Sequence, residues 1–333
     1  MRIVFTFLAA LILSIACYSQ NPKEELTLED AVMGYYKGLY PENMYGTDWT
    51  STNKLYRKKG NEILIYEPNK KGLKKWTGKT LKFSDDLDAI RRLTIDNQQS
   101  YHYNQKGKYY HYNNGVIVEL NYPNRAENIT LSPTKNQLAY TIKNNLFLAN
   151  TIDSSIVVTT HEDPNIVAGQ SIHRNEFGIK NGIFWSNDGN KIAFYEKDES
   201  DVHDYPLLNI NDTPGQLKSV KYPMAGQKSE YGKVGVYNTE SKSLIYLKTV
   251  HKKDDYVTNL TWGPKNEFIY IAELNRDQNH MKWAKYDATT GKRINTIFEE
   301  TNDKWVEPEY PLYFISESSD EFVTLSERDG FMN

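Results

Sequence analysis

One recurring unit limits the folds open to this chain more than any other feature. A large apolar residue, a small residue and a turn lead into a short apolar strand. The unit reads Leu131-Ser132-Pro133 before Leu138-Ala139-Tyr140, and Trp185-Ser186-Asn187-Asp188-Gly189 before Ile192-Ala193-Phe194-Tyr195. It returns as Trp262-Gly263-Pro264 before Phe268-Ile269-Tyr270-Ile271, with a weaker copy at Ile315-Ser316-Glu317 before Phe322-Val323-Thr324-Leu325. The anchors Ser132, Ser186, Gly263 and Ser316 stand 54, 77 and 53 residues apart. A period near 50 with about four strands per unit is the mark of propeller blades. A β-sandwich would not explain a turn-then-strand unit at that interval. The long interval reads as an insertion, running from Ser171 through Tyr205-Pro206 to Gly226 and holding the chain's most unusual segments.

Hairpin signals fill the space between anchors. Tyr109–Tyr112, Asn113-Asn114-Gly115 and Val116–Leu120 form strand, turn and strand, the strongest short-range hairpin pattern. Glu62–Tyr66 runs into Pro68-Asn69. Val234–Tyr237 and Leu244–Leu247 flank Asn238–Ser241, and Lys285–Asp287 and Arg293–Asn295 flank Thr289–Gly291. The 25 tyrosines suit such strands, because aromatic side chains favour pleated, half-buried surfaces. One helix is expected at Leu26–Val32, with Thr27 as N-cap and Asp30 closing a capping box. The fold class is therefore all-β, a propeller of four-stranded antiparallel blades preceded by a short helix.

The chain starts with Met1-Arg2, an apolar run Ile3–Ala16, small residues at Ala16 and Ser19, and then Lys23-Glu24-Glu25. This order is that of a secretory signal peptide, too short to span a membrane, which takes about 20 apolar residues. The expected division is 1–20 signal peptide, 21–45 N-terminal helical segment and 46–333 propeller, with an exported, periplasmic or secreted, location. Cys17, the only cysteine, lies in the leader, so disulfide scaffolds and thiolate chemistry are excluded after cleavage. Lipid attachment at Cys17 is the competing reading, disfavoured by Ser14 three residues earlier. A net charge of −3 gives no footprint for nucleic acid, and Lys70, Lys71, Lys74 and Lys75 read as a hairpin edge blunted by lysines.

Candidate chemistry is sparse. Gly169-Gln170-Ser171-Ile172-His173 lacks the second glycine of a nucleophile elbow, and no Gly-x-Ser-x-Gly occurs anywhere. The seven histidines show no paired-ligand spacing, so neither a metal nor another cofactor is expected. His111 alternates within a strand and reads as a satisfied sheet residue.

The stretch Ser171–Ile179, with Phe184-Trp185-Ser186 after it, Tyr222–Gly226 and Val234–Thr239, resembles the dipeptidyl peptidase IV family of serine exopeptidases. The helix and Ser326–Phe331 also look like family positions. The resemblance implies an eight-bladed propeller followed by an α/β-hydrolase domain with a Ser-Asp-His triad. That second domain is absent from these residues, and the propeller looks incomplete at its C-terminal end. It also implies an acidic pair that holds the free amino terminus of a peptide, as charge-assisted hydrogen bonds can. Nine residues back from Trp185, that pair falls on Asn175 and Glu176. Glu176 keeps the acid and Asn175 does not, which leaves weaker amine binding or an acid from elsewhere, and so dipeptidyl or prolyl tripeptidyl specificity. Taken alone, Glu176 reads as a helix N-terminal acid bridged to Arg174, with no ligand; the resemblance turns the reading toward amine binding. The family's carbonyl-gripping arginine has no match in Asn97–Tyr103, with Arg91 and Arg92 nearby. The expected partners are peptide N-termini, with a homodimer and a separate catalytic domain as further ones. A propeller that binds peptides or a partner protein without catalysis is the alternative.

Overall fold

The computed structural model describes residues 27–39, 46–50, 54–59, 62–66, 73–77, 90–97, 100–105, 107–134, 136–316 and 318–332. The expected leader 1–20 with Cys17, the expected turn Pro68-Asn69, Lys70, Lys71, Gln98 and Gln99 lie outside these residues, as do the side chains of Lys74, Lys75, Arg91 and Arg92. Helix α1 runs Leu28–Met33. Its capping box forms as expected: the Asp30 amide donates to Thr27 Oγ1 at 3.1 Å, and the Thr27 amide donates to Asp30 Oδ2 at 3.2 Å.

Antiparallel sheets follow in chain order. The first blade holds β1 Thr47–Trp49, β2 Leu55–Lys59, β3 Glu62–Tyr66 and β4 Leu73–Thr77. The second holds β5 Ile90–Asn97, β6 Ser100–Gln105, β7 Lys108–Asn113 and β8 Val116–Leu120. The third holds β9 Glu127–Leu131, β10 Gln137–Ile142, β11 Asn145–Asn150 and β12 Ile156–Val157. The fourth has five strands, β13 Ile166–Ala168, β14 Ile183–Trp185, β15 Lys191–Asp198, β18 Tyr231–Asn238 and β19 Leu244–Tyr246. A separate hairpin, β16 Asp204–Asn209 with β17 Gln216–Lys221, is inserted between β15 and β18. The fifth blade holds β20 Tyr256–Trp262, β21 Phe268–Leu274, β22 His280–Asp287 and β23 Arg293–Thr301, and the pair β24 Tyr313–Phe314 with β25 Phe322–Val323 comes last.

The repeated anchor is the turn between a blade's first and second strands. The anchor amide donates to the carbonyl five residues on, Ser132 to Gln137, Ser186 to Lys191 and Gly263 to Phe268, at 2.9 Å each time. At Ser186 the hydroxyl also donates to Asp188 Oδ1 at 2.6 Å and accepts from the Lys191 amide at 2.9 Å. The tryptophans before Ser186 and Gly263 do a second job. Trp185 donates its indole N–H to Thr130 O in β9 at 3.1 Å, and Trp262 donates to Phe184 O in β14 at 3.0 Å. Each therefore rivets its blade to the blade before it. The β7–β8 turn, Asn114 and Gly115, has positive φ at both residues, the mirror-image turn that suits the twist of a hairpin.

The core is a set of apolar layers between successive blades. Tyr56, Ile63 and Ile65 meet Ile95, Tyr101 and Tyr103; Tyr109 and Leu120 meet Leu138 and Tyr140. Leu146 and Leu148 meet Ile183, Ile192 and Phe194, and Val234 and Val236 meet Ile269 and Ile271. Facing sheets stand about 10 Å apart, a gap that large side chains fill, so the tyrosines are used here as flat spacers. First strands of neighbouring blades touch, β1 with β5 and β9 with β14.

Two expectations need correction. The fourth sheet has five strands because its first strand is split: β13 pairs with residues 196–198 of β15, and β14 pairs with residues 192–194 of the same strand. The unusual segment around Asn175 lies in this split, before Ser186, and is separate from the insertion in the 77-residue interval. That insertion is the β16–β17 hairpin, exposed on both faces.

Candidate functional site

The first strands share an irregularity at one level. Strand β9 changes register at Asn128 (φ 51°) opposite Tyr140, and β20 changes register at Asn259 (φ 53°) opposite Ile271. These are bulges, which accommodate extra residues by breaking the ladder locally. In the fourth blade the same level opens into an excursion, residues 169–182. Tyr195 spans its neck: the Gly169 amide donates to Tyr195 O at 2.8 Å, and the Tyr195 amide donates to Gly182 O at 3.0 Å. The two ends approach so closely that a Cβ on Gly182 would sit 2.2 Å from the Gln170 carbonyl carbon.

The excursion turns through a 3-10 segment, His173–Asn175. His173, Arg174, Asn175, Phe177 and Gly178 all have φ between 50° and 69°, in the left-handed region, while Glu176 does not. For His173, Arg174 and Phe177 this is stored strain of about 1 kcal/mol or more apiece, whereas an asparagine adopts it readily. Three side chains fasten the loop to the body. Ile172, Phe177 and Ile179 are buried, and Phe177 packs 5.0 Å from the Tyr256 ring.

Polar groups complete the hold. His173 is buried; its Nε2 accepts from the Val257 amide at 3.1 Å, and its own amide donates to Glu230 Oε1. Burial, with the His251 ring and the charges of Lys197 and Arg276 adding to it, pushes the His173 imidazole down to about 3, so it stays neutral and accepting. Asn175 and Glu176 are exposed at the tip. Asn175 Oδ1 accepts from Ser171 Oγ at 2.8 Å. Arg174 turns away from Glu176: its guanidinium lies 3.9 Å from Glu199 and 5.4 Å over the Tyr222 ring. Glu176 thus has no side-chain partner among the described residues, and the bridge to Arg174 does not form.

Clefts flank the stem on both sides. One, of about 510 Å³, lies between the start of β9 and Lys180–Ile183. The other, of about 410 Å³, lies between Gly178–Asn181, the β20 bulge at Asn259-Leu260, and Glu309-Tyr310-Pro311. Backbones touch across it, since a Cβ on Gly178 would stand 2.1 Å from Glu309 O. Glu309 was not foreseen, and neither was Glu230; nothing in the sequence near either marks it.

No nucleophile is assembled at the elbow-like stretch, because Ser171 is spent on Asn175 and His173 faces inward. Elsewhere, Ser100 Oγ lies 3.1 Å from His111 Nε2, His111 Nδ1 meets Asn136 Oδ1, and the His111 ring stacks 4.0 Å from His102. His111 is a satisfied sheet residue, as its alternation implied. Among the described residues no group of His, Cys, Asp and Glu is arranged to hold a metal, and no helix is long and apolar enough to cross a membrane.

Residues 85–333 match the family described as the dipeptidyl peptidase IV (DPP IV) N-terminal region. A probable dipeptidyl-aminopeptidase B of Uncinocarpus reesii is 23% identical over 258 residues, covering 70% of this chain and 28% of that protein. Its counterpart in Pyrenophora tritici-repentis is 25% identical over 225 residues, covering 59% and 25%. A Bacteroides ovatus protein assigned as a dipeptidyl aminopeptidase IV superposes with a TM-score of 0.74 at 34% identity, over 88% of this chain and 42% of that one. Porphyromonas gingivalis dipeptidyl peptidase 4 superposes with a TM-score of 0.66 at 18% identity, over 94% and 47%, a likeness of fold. The chain spans about a quarter of the length of the curated relatives, 28% and 25% in these two.

Proposed function

The chain belongs to the dipeptidyl peptidase IV N-terminal region family, and on that premise we propose that it is an exported binding module that holds the free amino end of a peptide at Glu176. One observation carries this reading: an exposed, partnerless carboxylate at the tip of a strained, rigidly fastened loop, beside two clefts. A terminal ammonium offers charge-assisted hydrogen bonds that an internal peptide nitrogen lacks. Asn175 contributes an amide oxygen already shared with Ser171. Glu309, on the far wall of the smaller cleft and without an ion-pair partner among the described residues, supplies the second carboxylate. The peptide residues that follow the bound amine are then received by Tyr310 and Pro311.

Binding of Gly-Pro- and Ala-Ala-Pro-led peptides to the purified chain, each with a free and an acetylated amine, tests the reading by calorimetry. The free-amine forms bind at least about tenfold more tightly, and Glu176→Gln removes most of that preference, as loss of one partner of a charged pair does. Equal affinity for the acetylated forms would sink it. The comparison of the two leaders separates a dipeptide from a tripeptide register.

The second reading, favoured by the family match, makes the chain the substrate-sorting propeller of a serine exopeptidase, with cleavage supplied by an α/β-hydrolase domain. Turnover of Gly-Pro or Ala-Ala-Pro chromogenic substrates by this chain alone would overturn the assignment of cleavage to another domain. Export and removal of residues 1–20 are checked by the mass of the mature protein.

A further inference from the structure

We infer that Glu230 is the positioning residue of the amine site: its buried carboxylate, used as a hydrogen-bond acceptor, sets the left-handed turn from which Glu176 projects. The inference rests on the role given above to Glu176. Glu230 stands just before β18 and is 1% exposed. No lysine or arginine pairs with it among the described residues. The neutral His173 ring faces it, with Nδ1 3.8 Å from Oε1. A carboxylate buried without a cation is costly, so a chain that needed only packing here would carry an apolar residue. What Glu230 does on the page is accept the His173 amide through Oε1, while Oε2 has no partner.

That one bond reaches the site by a short relay. His173 O accepts the Glu176 amide at 3.0 Å, so two hydrogen bonds join the Glu230 carboxylate to the Glu176 main chain. From the other side, the Val257 amide donates to His173 Nε2 at 3.1 Å. His173 is thereby held at its amide by Glu230 and at its ring by β20. Residues 173–178 need such a clamp, because left-handed φ at His173, Arg174, Asn175 and Phe177 relaxes unless its surroundings fix it. Packing of Phe177 on Tyr256 fixes where the turn sits. The amide bond to Glu230 fixes how its peptide planes are oriented, and so where the Glu176 carboxylate points. The role is that of an acceptor, with no demand for negative charge.

The test uses Glu230→Gln and Glu230→Leu in the full chain, read by hydrogen exchange of the 173–179 amides and by affinity for Gly-Pro-Ala-Ala with a free and an acetylated amine. Gln presents the same oxygen, so exchange and amine preference stay within about threefold of the wild type. Leu removes the acceptor: the 173–179 amides exchange at least about tenfold faster, the preference for the free amine falls about tenfold, and the β21–β23 amides are unchanged. Should Leu prevent folding, Glu230→Asp, which keeps the charge but withdraws the acceptor by one methylene, gives the same exchange signature. Wild-type exchange in both Leu and Asp variants overturns the inference, as does a Gln variant that behaves like Leu. If the wild type does not distinguish the two peptides, the role of Glu176 fails while the exchange comparison still decides that of Glu230.

Discussion

The fourth and fifth blades are built on one plan and depart from it at one level. Each begins with a strand that ends in a tryptophan, and each tryptophan donates to a carbonyl in the preceding blade. At the level where β20 takes up its extra residue as a bulge at Asn259, the fourth blade lets out the whole 169–182 excursion. The fifth blade repairs its bulge cheaply, with Asn259 Nδ2 donating to Thr258 Oγ1 and to Pro308 O. The fourth needs a glycine pinch, three buried apolar side chains and a His–Glu clamp. The difference teaches that the propeller frame tolerates a large departure where a bulge already interrupts the ladder. Strained backbone collects at that point, and the exposed acid with it.

The sharpest way to break the comparison is at the neck. Gly182→Val places atoms where the Gln170 carbonyl stands, and should cost about 3 kcal/mol by urea unfolding. An unperturbed protein would mean that the two ends of the excursion part freely and that the split strand is not a pinched unit. Next come the rivets. Trp185→Phe and Trp262→Phe each lose an indole donor and some packing, about 2 kcal/mol apiece. If both blades rest on the same frame, the two losses agree; a twofold difference would show that the excursion has shifted load onto one of them.

A third test uses pH. His173 is held down to about 3 in the folded chain, against about 6.5 when unfolded, so the unfolded chain binds the extra proton between those values. Stability fully present above pH 6.5 is lost as pH falls toward 3, with a slope of at most about 1.4 kcal/mol per pH unit from this group. His173→Gln, whose amide oxygen accepts the Val257 bond, flattens that acid limb. Unfolding curves measured from pH 7 to 4 decide it; parallel limbs in the two proteins would show that the ring is solvated after all.

What could be read from the sequence was local. The capping box at Thr27 and Asp30, the Asn114-Gly115 turn and the anchors at Ser132, Ser186 and Gly263 each state their conformation within five residues. The excursion states nothing of the kind. Left-handed backbone is ordinary for Asn175 and Gly178, but His173, Arg174 and Phe177 adopt it only because tertiary contacts impose it. Glu230 acts across 57 residues of chain on a main-chain amide, a pairing that no local pattern announces. The segment around Asn175 was therefore assigned to the wrong interval, and its two supporting acids went unseen. Asn175 and Glu176 remain the tip residues, on which the proposed amine site depends.

The tryptophan rivets have a directional consequence. Both donors reach backwards along the chain, by 55 residues from Trp185 and 78 from Trp262. Each donor meets a carbonyl on a blade that precedes it in the chain, so addition of blades from the N-terminal side works as a ratchet. Traction applied beyond β23 runs the ratchet in reverse: the later blade peels away first and takes its donor with it, while the earlier one keeps its own rivet intact.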